Sequence, residues 1–381
     1  MNEDPPGHSP VAGVQGPGDA AVSDDLHGVL AAAVPRACSA AVALIAVNGE
    51  VVAAEAVGEM VRYAGASGAM LPRRPPVTRD AIFDLASITK LFTTVVILSL
   101  ADEGRLDLDE PINAWSPATP AITPRHLLTH TSGLPASCRA HEHLPGDRPG
   151  IHADRMALIL ATPLLHPPGE RHLYSDVGLI IAGRVAEIAG GAPLDELVRA
   201  RITTPLGLVD TGYRPSLSLR PRIVATEFKP AGTGCVRGEV HDETAHGLGG
   251  VAGHAGIFST ADDLLRFAEA LRTGGAQILR PATTSEMTRP HPAPGLVGYA
   301  QGLGVRLSDP AIAAPLLGSA SPPPYGHSGF TGTSLVIDPA RGLTIILLTN
   351  NVHPLRGRPG IRELRHAVAS TALKAYHRAG R

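Results

Sequence analysis

Lysine is almost missing from this chain. Of its 33 basic residues only Lys90, Lys229 and Lys374 are lysines; the other 30 are arginines. Arginine stays protonated and cannot act as a base, whereas a buried lysine can lose its proton. One of the rare lysines therefore stands where a proton acceptor would be useful. Aromatic residues make up only 3% of the chain, so its core must be built from Ala, Val, Leu and Ile. Three widely spaced cysteines, Cys38, Cys138 and Cys235, form neither a disulfide framework nor a metal-ligand set. A net charge of -2 without any long run of one sign offers nothing to nucleic acid or to an anionic membrane surface. Long apolar runs are missing too: the stretches 40–47 and 95–101 are too short to span a bilayer. The first residues, MNEDPPGHSPVAGVQGPGDAAVSDD, lack the basic start and apolar run of a secretory signal. These absences predict a soluble, cytoplasmic protein with a disordered tail over residues 1–22.

What is present points to an α+β layout. Ser23 is placed to cap a short helix with Leu26, Val29, Leu30 and Val34 on one face. AVALIAV and VVAAEAV flank Asn48-Gly49, a strong hairpin signal. A helix is expected from near Ser87 to Glu103, stopped by Gly104. From about 105 to 275, helical patterns alternate with Pro/Gly loops. Strands return late, in QGLGVRL, TSLVIDP and LTIILLT, before a closing helix IRELRHAVASTALKAYHRA. The early and late hairpins are expected to join one antiparallel β-sheet flanked by helices, with a mostly helical subdomain. The single domain 23–381 then has a sheet part at about 23–85 and 257–381 and a helical part at about 86–256.

Four segments carry chemistry. In Ser87-Ile88-Thr89-Lys90 the serine and lysine share a helix face, so a neutral Lys90 amine could take the Ser87 proton. A serine at a helix start also has free N–H groups aimed at a developing oxyanion. The spacing alone equally describes an N-cap serine with a surface lysine. Tyr174-Ser175-Asp176 places a phenol on a loop before an apolar helix, where a neighbouring ammonium would lower its pKa and make it a base. Tyr325-Gly-His327-Ser328-Gly329-Phe330 is a Gly-dense approach to a strand, and the Phe330 N–H can join that of Ser87 in an oxyanion hole. Finally, Val240-His241-Asp242-Glu243-Thr-Ala-His246 runs into a glycine-rich stretch ending in His254-Ala-Gly256. Its histidines lack metal-site spacing; a loop bordering the cleft is expected, and no metal or organic cofactor.

Taken in order, FDLASITKLFTT, LLTHTSGLP, HPPGERHLYSDVGLIIAGRVAE, PLGLVDTGY, GHAGIFSTADDL and GHSGFTGTSLVIDP resemble the serine β-lactamase and penicillin-binding-protein superfamily, in its branch of class C-related, esterase-like enzymes. The resemblance runs from about residue 81 to 354. It implies that Ser87 is the acylated nucleophile, Lys90 its activating partner and Tyr174 the base and leaving-group acid. It also implies that His327-Ser328-Gly329 is the substrate-binding strand, with Phe330 giving the second oxyanion N–H. Two positions depart from the family pattern. Asp176 replaces an asparagine whose amide could donate to a substrate carbonyl, and His327 replaces a lysine that would hold a substrate carboxylate. Both argue against efficient penicillin hydrolysis. The expected activity is a serine hydrolase acting through an acyl-enzyme on a small ester or amide. The alternatives are a transacylase using an amine or alcohol acceptor, and a non-catalytic sensor module of the same fold. Substrate-selecting walls are expected from loops 60–80, 136–155 and 285–325.

Overall fold

Asn48 and Gly49 take left-handed conformations (φ 52° and 85°), as a two-residue hairpin turn requires. They join β1 (Ala40–Val47) to β2 (Glu50–Gly58). All eight residues of β1 are buried, which explains its unbroken apolar run: Ala41, Ala43, Ile45 and Val47 pack on one side and Ala40, Val42, Leu44 and Ala46 on the other. The computed structural model describes residues 17–112, 121–229, 234–318 and 321–378. β1 lies between β2 and β10 (Leu343–Thr349) in an antiparallel sheet of order β2-β1-β10-β9-β8-β7-β6. Its remaining strands are β9 (Ser334–Asp338), β8 (Tyr325–Ser328), β7 (Arg306–Leu307) and β6 (Ala300–Gln301). The expected joining of early and late hairpins is therefore what the chain does.

One sheet face carries helix α1 (Pro17–Ala33) and the closing helix, Ile361–Arg378. The other carries α2 (Thr89–Asp102) and the helix Ala261–Arg272. Two of the six phenylalanines are used here: Phe92 and Phe267 stack with centroids 4.2 Å apart and planes 8° from parallel. α1 corrects the sequence reading. It starts at Pro17, so Ser23 lies inside it and residues 17–22 are helix and not tail. Proline fits a first helical turn, where its missing N–H has no acceptor to lose, and Val22 extends the buried series Leu26 and Leu30 by one turn. Residues 1–16 of the expected tail lie outside the described residues.

A second, small sheet has β5 (Ile257–Ser259) between β3 (Phe83–Asp84) and β4 (Gly212–Tyr213). β4 falls in the stretch read as helices and loops. The centre of that stretch is α3 (Asp176–Gly190), capped by Ser175, whose hydroxyl accepts the Gly178 N–H. Among the described residues no single helix is long and apolar enough to cross a membrane.

His353 ties the sheet to its surrounding loops and sets a pH dependence. Its buried ring shares an Nδ1 proton with the Thr226 carbonyl at 2.7 Å, and its Nε2 accepts the N–H groups of Arg62 and Tyr63. Both nitrogens are committed to the neutral form, and burial pushes the pKa from 6.5 down to about 4. The folded value is depressed, so this contribution is complete above pH 6.5 and lost as pH falls towards 4. We expect His353 to cost roughly 1.4 kcal/mol per pH unit in that window. Urea unfolding followed from pH 7 downwards checks this; stability that stays flat below 6.5 contradicts it.

Candidate active site

β3 ends at Asp84, and the chain then turns sharply. Ala86 is left-handed (φ 47°) and opens a 3₁₀ turn, Ala86–Ile88, that carries Ser87 and runs into α2. Such a backbone is uncommon for a non-glycine residue, and Asp84 holds it. One carboxylate oxygen accepts the Ala86 N–H at 2.8 Å; the other accepts the His241 N–H at 2.7 Å. The group is 2% exposed. Burial raises its pKa, only partly opposed by these two N–H groups. The carbonyls of Asp84 and Leu85 accept from the Thr331 and Thr333 hydroxyls, at 2.8 and 3.1 Å. Gly329 sits so close that a Cβ there would lie 2.4 Å from the Leu85 oxygen. The end of β8 and the loop after it are thereby fastened to the serine turn. Asp84→Ala is expected to strand two buried N–H groups at about 1–3 kcal/mol each, whereas Asp84→Asn keeps one acceptor and loses less. Denaturant midpoints of the two variants, compared with their kcat, test this; equal stabilities would contradict it.

Lys90 is fully buried on the first turn of α2. Its Nζ lies 2.8 Å from Ser87 Oγ, 2.8 Å from Asp176 Oδ1 and 3.2 Å from the His254 carbonyl oxygen. An ammonium has three donors and no acceptor, and here three acceptors surround it. Burial pulls the Lys90 pKa down, but the Asp176 carboxylate and the Tyr174 phenol outweigh it and leave the value above that of an ordinary lysine. The sequence reading expected a neutral Lys90 amine taking the Ser87 proton; the Asp176 carboxylate at 2.8 Å favours the ammonium form. Asp176, distant in sequence, supplies the counter-charge that keeps the amine protonated.

Tyr174 stands in the loop before α3, half-buried. Lys90 Nζ and the Arg306 guanidinium each lie 5.0 Å from its ring centroid, and the His130 ring is 4.6 Å away. His130 is buried, accepts the Ser175 N–H through Nδ1, and is pushed well below its usual pKa by burial and the Lys90 charge.

The third segment lies across from it, with the His327 and Tyr174 ring centroids 6.0 Å apart. His327, on β8, is buried. Its Nδ1 bonds the Ser328 carbonyl at 2.8 Å, and its Nε2 has no partner among the described residues. Burial, then the Arg306 and Lys90 charges, push its pKa well down. Both effects favour the neutral imidazole, in which Nδ1 donates to the Ser328 carbonyl and Nε2 keeps its lone pair. The nearby fixed cation is Arg306 on the adjacent strand β7, which pairs with Asp309 at 3.1 Å. Phe330 follows Gly329 and is 59% exposed, its ring stacked on His241 and under the Arg356 guanidinium.

The beta-lactamase family model matches residues 30–370. The chain belongs to the beta-lactamase family. An Escherichia coli K12 relative, named as a D-alanyl-D-alanine carboxypeptidase, is 33% identical over 344 residues, spanning 81% of this chain and 78% of its own length. Among solved structures, the chain is similar to "EstCE1, a hydrolase with promiscuous acyltransferase activity" (TM-score 0.71, 26% identity, 92% of this chain and 99% of that one). The fold is also shared with an octameric penicillin-binding protein homologue from Pyrococcus abyssi (TM-score 0.69, 21% identity, 93% and 77%). As a beta-lactamase family member, the chain is an enzyme of the serine hydrolase or acyltransferase kind.

The sequence reading did not single out Asp84, His130 or Arg306, and expected the 240–256 loop only to border the cleft. Asp84 stood in plain view inside FDLASITK; a carboxylate two residues before a strained backbone was its one signal. The loop delivers the His241 N–H to Asp84 and the His254 carbonyl to Lys90. Among the described residues no group of His, Cys, Asp and Glu is arranged to hold a metal ion.

Proposed function

We propose that this enzyme hydrolyses a small-molecule ester or amide through an acyl-enzyme on Ser87. The observation that carries the reading is the Lys90 ammonium held between Ser87 Oγ and Asp176. Lys90 donates to Ser87 Oγ and so cannot receive its proton. That role falls to Tyr174. In the reacting form Tyr174 is a phenolate whose charge is balanced by Lys90 and by Arg306 over the ring, and on taking the Ser87 proton it becomes a neutral phenol. Oγ attacks the carbonyl carbon, and the oxyanion is received by the N–H groups of Ser87 and Phe330. Tyr174 returns the proton to the leaving group as its bond to the acyl carbon breaks, and water then frees Ser87. His327, Ser328 and Gly329 form the strand beside the substrate. A neutral His327 gives a substrate carboxylate no ionic partner, which supports esters and amides over penicillins.

A second reading keeps the acyl-enzyme and replaces water with an amine or alcohol. It is favoured by the acyltransferase activity in the name of the EstCE1 structure. Mass spectrometry after treatment with a fluorophosphonate tests the shared step: one adduct on the Ser87 peptide is expected, and none in Ser87→Ala. No adduct on the wild-type enzyme rejects both readings. Product partitioning from an activated ester, with and without added amine, then separates them.

A further inference from the structure

The closing helix sends Arg365 against the turn between β8 and β9. The side chain is half-buried, and its Nη2 donates to two backbone carbonyls of that turn, Thr333 at 2.9 Å and Gly329 at 3.2 Å. No carboxylate pairs with it among the described residues. The charges that act on it are those of Arg306 and Asp309, and these two already pair with each other. Its Nε is buried without a partner. Burial, then the Arg306 charge, pull its pKa down to about 10, so it is a cation at neutral pH. A neutral donor could hold two carbonyls at less cost, because a charge taken from water without a counter-charge is expensive. The charge itself therefore calls for a reason.

The carbonyl of Gly329 and the N–H of Phe330 belong to one peptide group. Its oxygen end is held twice, by Arg365 and by the Gly332 N–H at 3.1 Å. Its N–H end has no acceptor among the described residues. The peptide is trans, so its C=O and N–H point in opposite directions, and fixing the first aims the second. Hydrogen bonds in series also polarise one another: a cation on the oxygen makes the N–H a stronger donor. The Gly329 N–H closes the turn on the Thr333 carbonyl at 2.9 Å, the other carbonyl that Arg365 holds. The Thr333 hydroxyl fastens the turn to Leu85, two residues before Ser87. We infer that Arg365 is a positioning residue for the oxyanion hole: seated on the Gly329 carbonyl, its guanidinium aims and strengthens the Phe330 N–H that receives the substrate oxygen. Its positive charge lies behind the donor, on the far side of the peptide from the oxyanion, and needs no counter-ion of its own until that oxyanion forms.

The inference rests on the acyl-enzyme reading, and one experiment separates them. Wild type, Arg365→Gln and Arg365→Lys are each given p-nitrophenyl acetate and its thiono analogue, in which sulfur replaces the carbonyl oxygen. Sulfur is a weak acceptor, so the ester gains from the oxyanion hole what the analogue does not. Glutamine removes the charge and keeps a donor; lysine keeps the charge. Urea unfolding shows that each variant is folded, and Arg365→Met, with the outcome expected of glutamine, takes its place if that variant is not. We expect the ratio of kcat/KM for ester over analogue to fall about tenfold in Arg365→Gln and to stay within about threefold of wild type in Arg365→Lys. Taking the ratio within each protein cancels any general loss of rate, which a purely structural role would cause. A ratio in the neutral variant equal to that of wild type, or an equal fall in Arg365→Lys, overturns the inference alone. No fluorophosphonate adduct on Ser87 and no turnover of the ester by wild type overturns the acyl-enzyme reading and this inference with it.

Discussion

Tyr174→Phe will slow acylation of Ser87 by roughly a hundred- to ten-thousandfold. The substitution keeps the ring, with its contacts to His130, Lys90 and Arg306, and removes only the oxygen. The Lys90 ammonium should stay paired with Asp176 and Ser87. The loss should therefore fall on kcat, with little change in KM or in stability. Stopped-flow release of p-nitrophenol from an activated ester reads the acylation step directly. A loss of less than tenfold would remove Tyr174 as the base, and Lys90 would have to surrender a proton after all.

Lys90→Met will be worse, and in two ways. Methionine fills the same tunnel without a charge. Acylation should fall at least as far as in Tyr174→Phe, because the phenolate form of Tyr174 loses its counter-ion and Ser87 loses its fixed donor. Stability should fall as well. Removing one partner of a buried ion pair leaves the other uncompensated, at a cost of about 3–5 kcal/mol. Asp176 is 32% exposed, so water takes up part of that cost and the low end of the range is expected. Adding Asp176→Asn removes the stranded charge and should restore most of the stability while leaving the rate where Lys90→Met put it. Urea unfolding and acylation rates of the single and double variants test both halves. Recovery of the rate in the double variant would show that Lys90 matters only as a structural neutraliser of Asp176.

The fold was legible where short-range rules suffice. The Asn48-Gly49 turn, the apolar runs beside it and the late strands specify their own hairpins. Ser87, Lys90 and Tyr174 could be named only together, from the order of several motifs along the chain, because each local pattern alone describes an ordinary cap, surface or packing residue just as well. The charge on Lys90 could not. It depends on Asp176, which reaches the amine only because α3 and α2 pack together, and spacing along the chain does not encode that approach. The same holds for Asp84 and His254: each works through a backbone group contributed by, or given to, a distant loop. The start of α1 was missed for a different reason. Only Val22 continues the buried face of that helix, and one residue is a weak periodic signal.

The serine turn is braced from the far end of the protein. Thr331 and Thr333 hold the carbonyls of Asp84 and Leu85, and β1 takes its place in the sheet against β10. A ribosome delivers Ser87 long before it delivers any of these supports. During synthesis the turn that carries Ser87 therefore stays unbraced until the last strands have emerged and closed on the first. On the proposed acyl-enzyme reading, this arrangement keeps the chain from forming adducts while it is still being made.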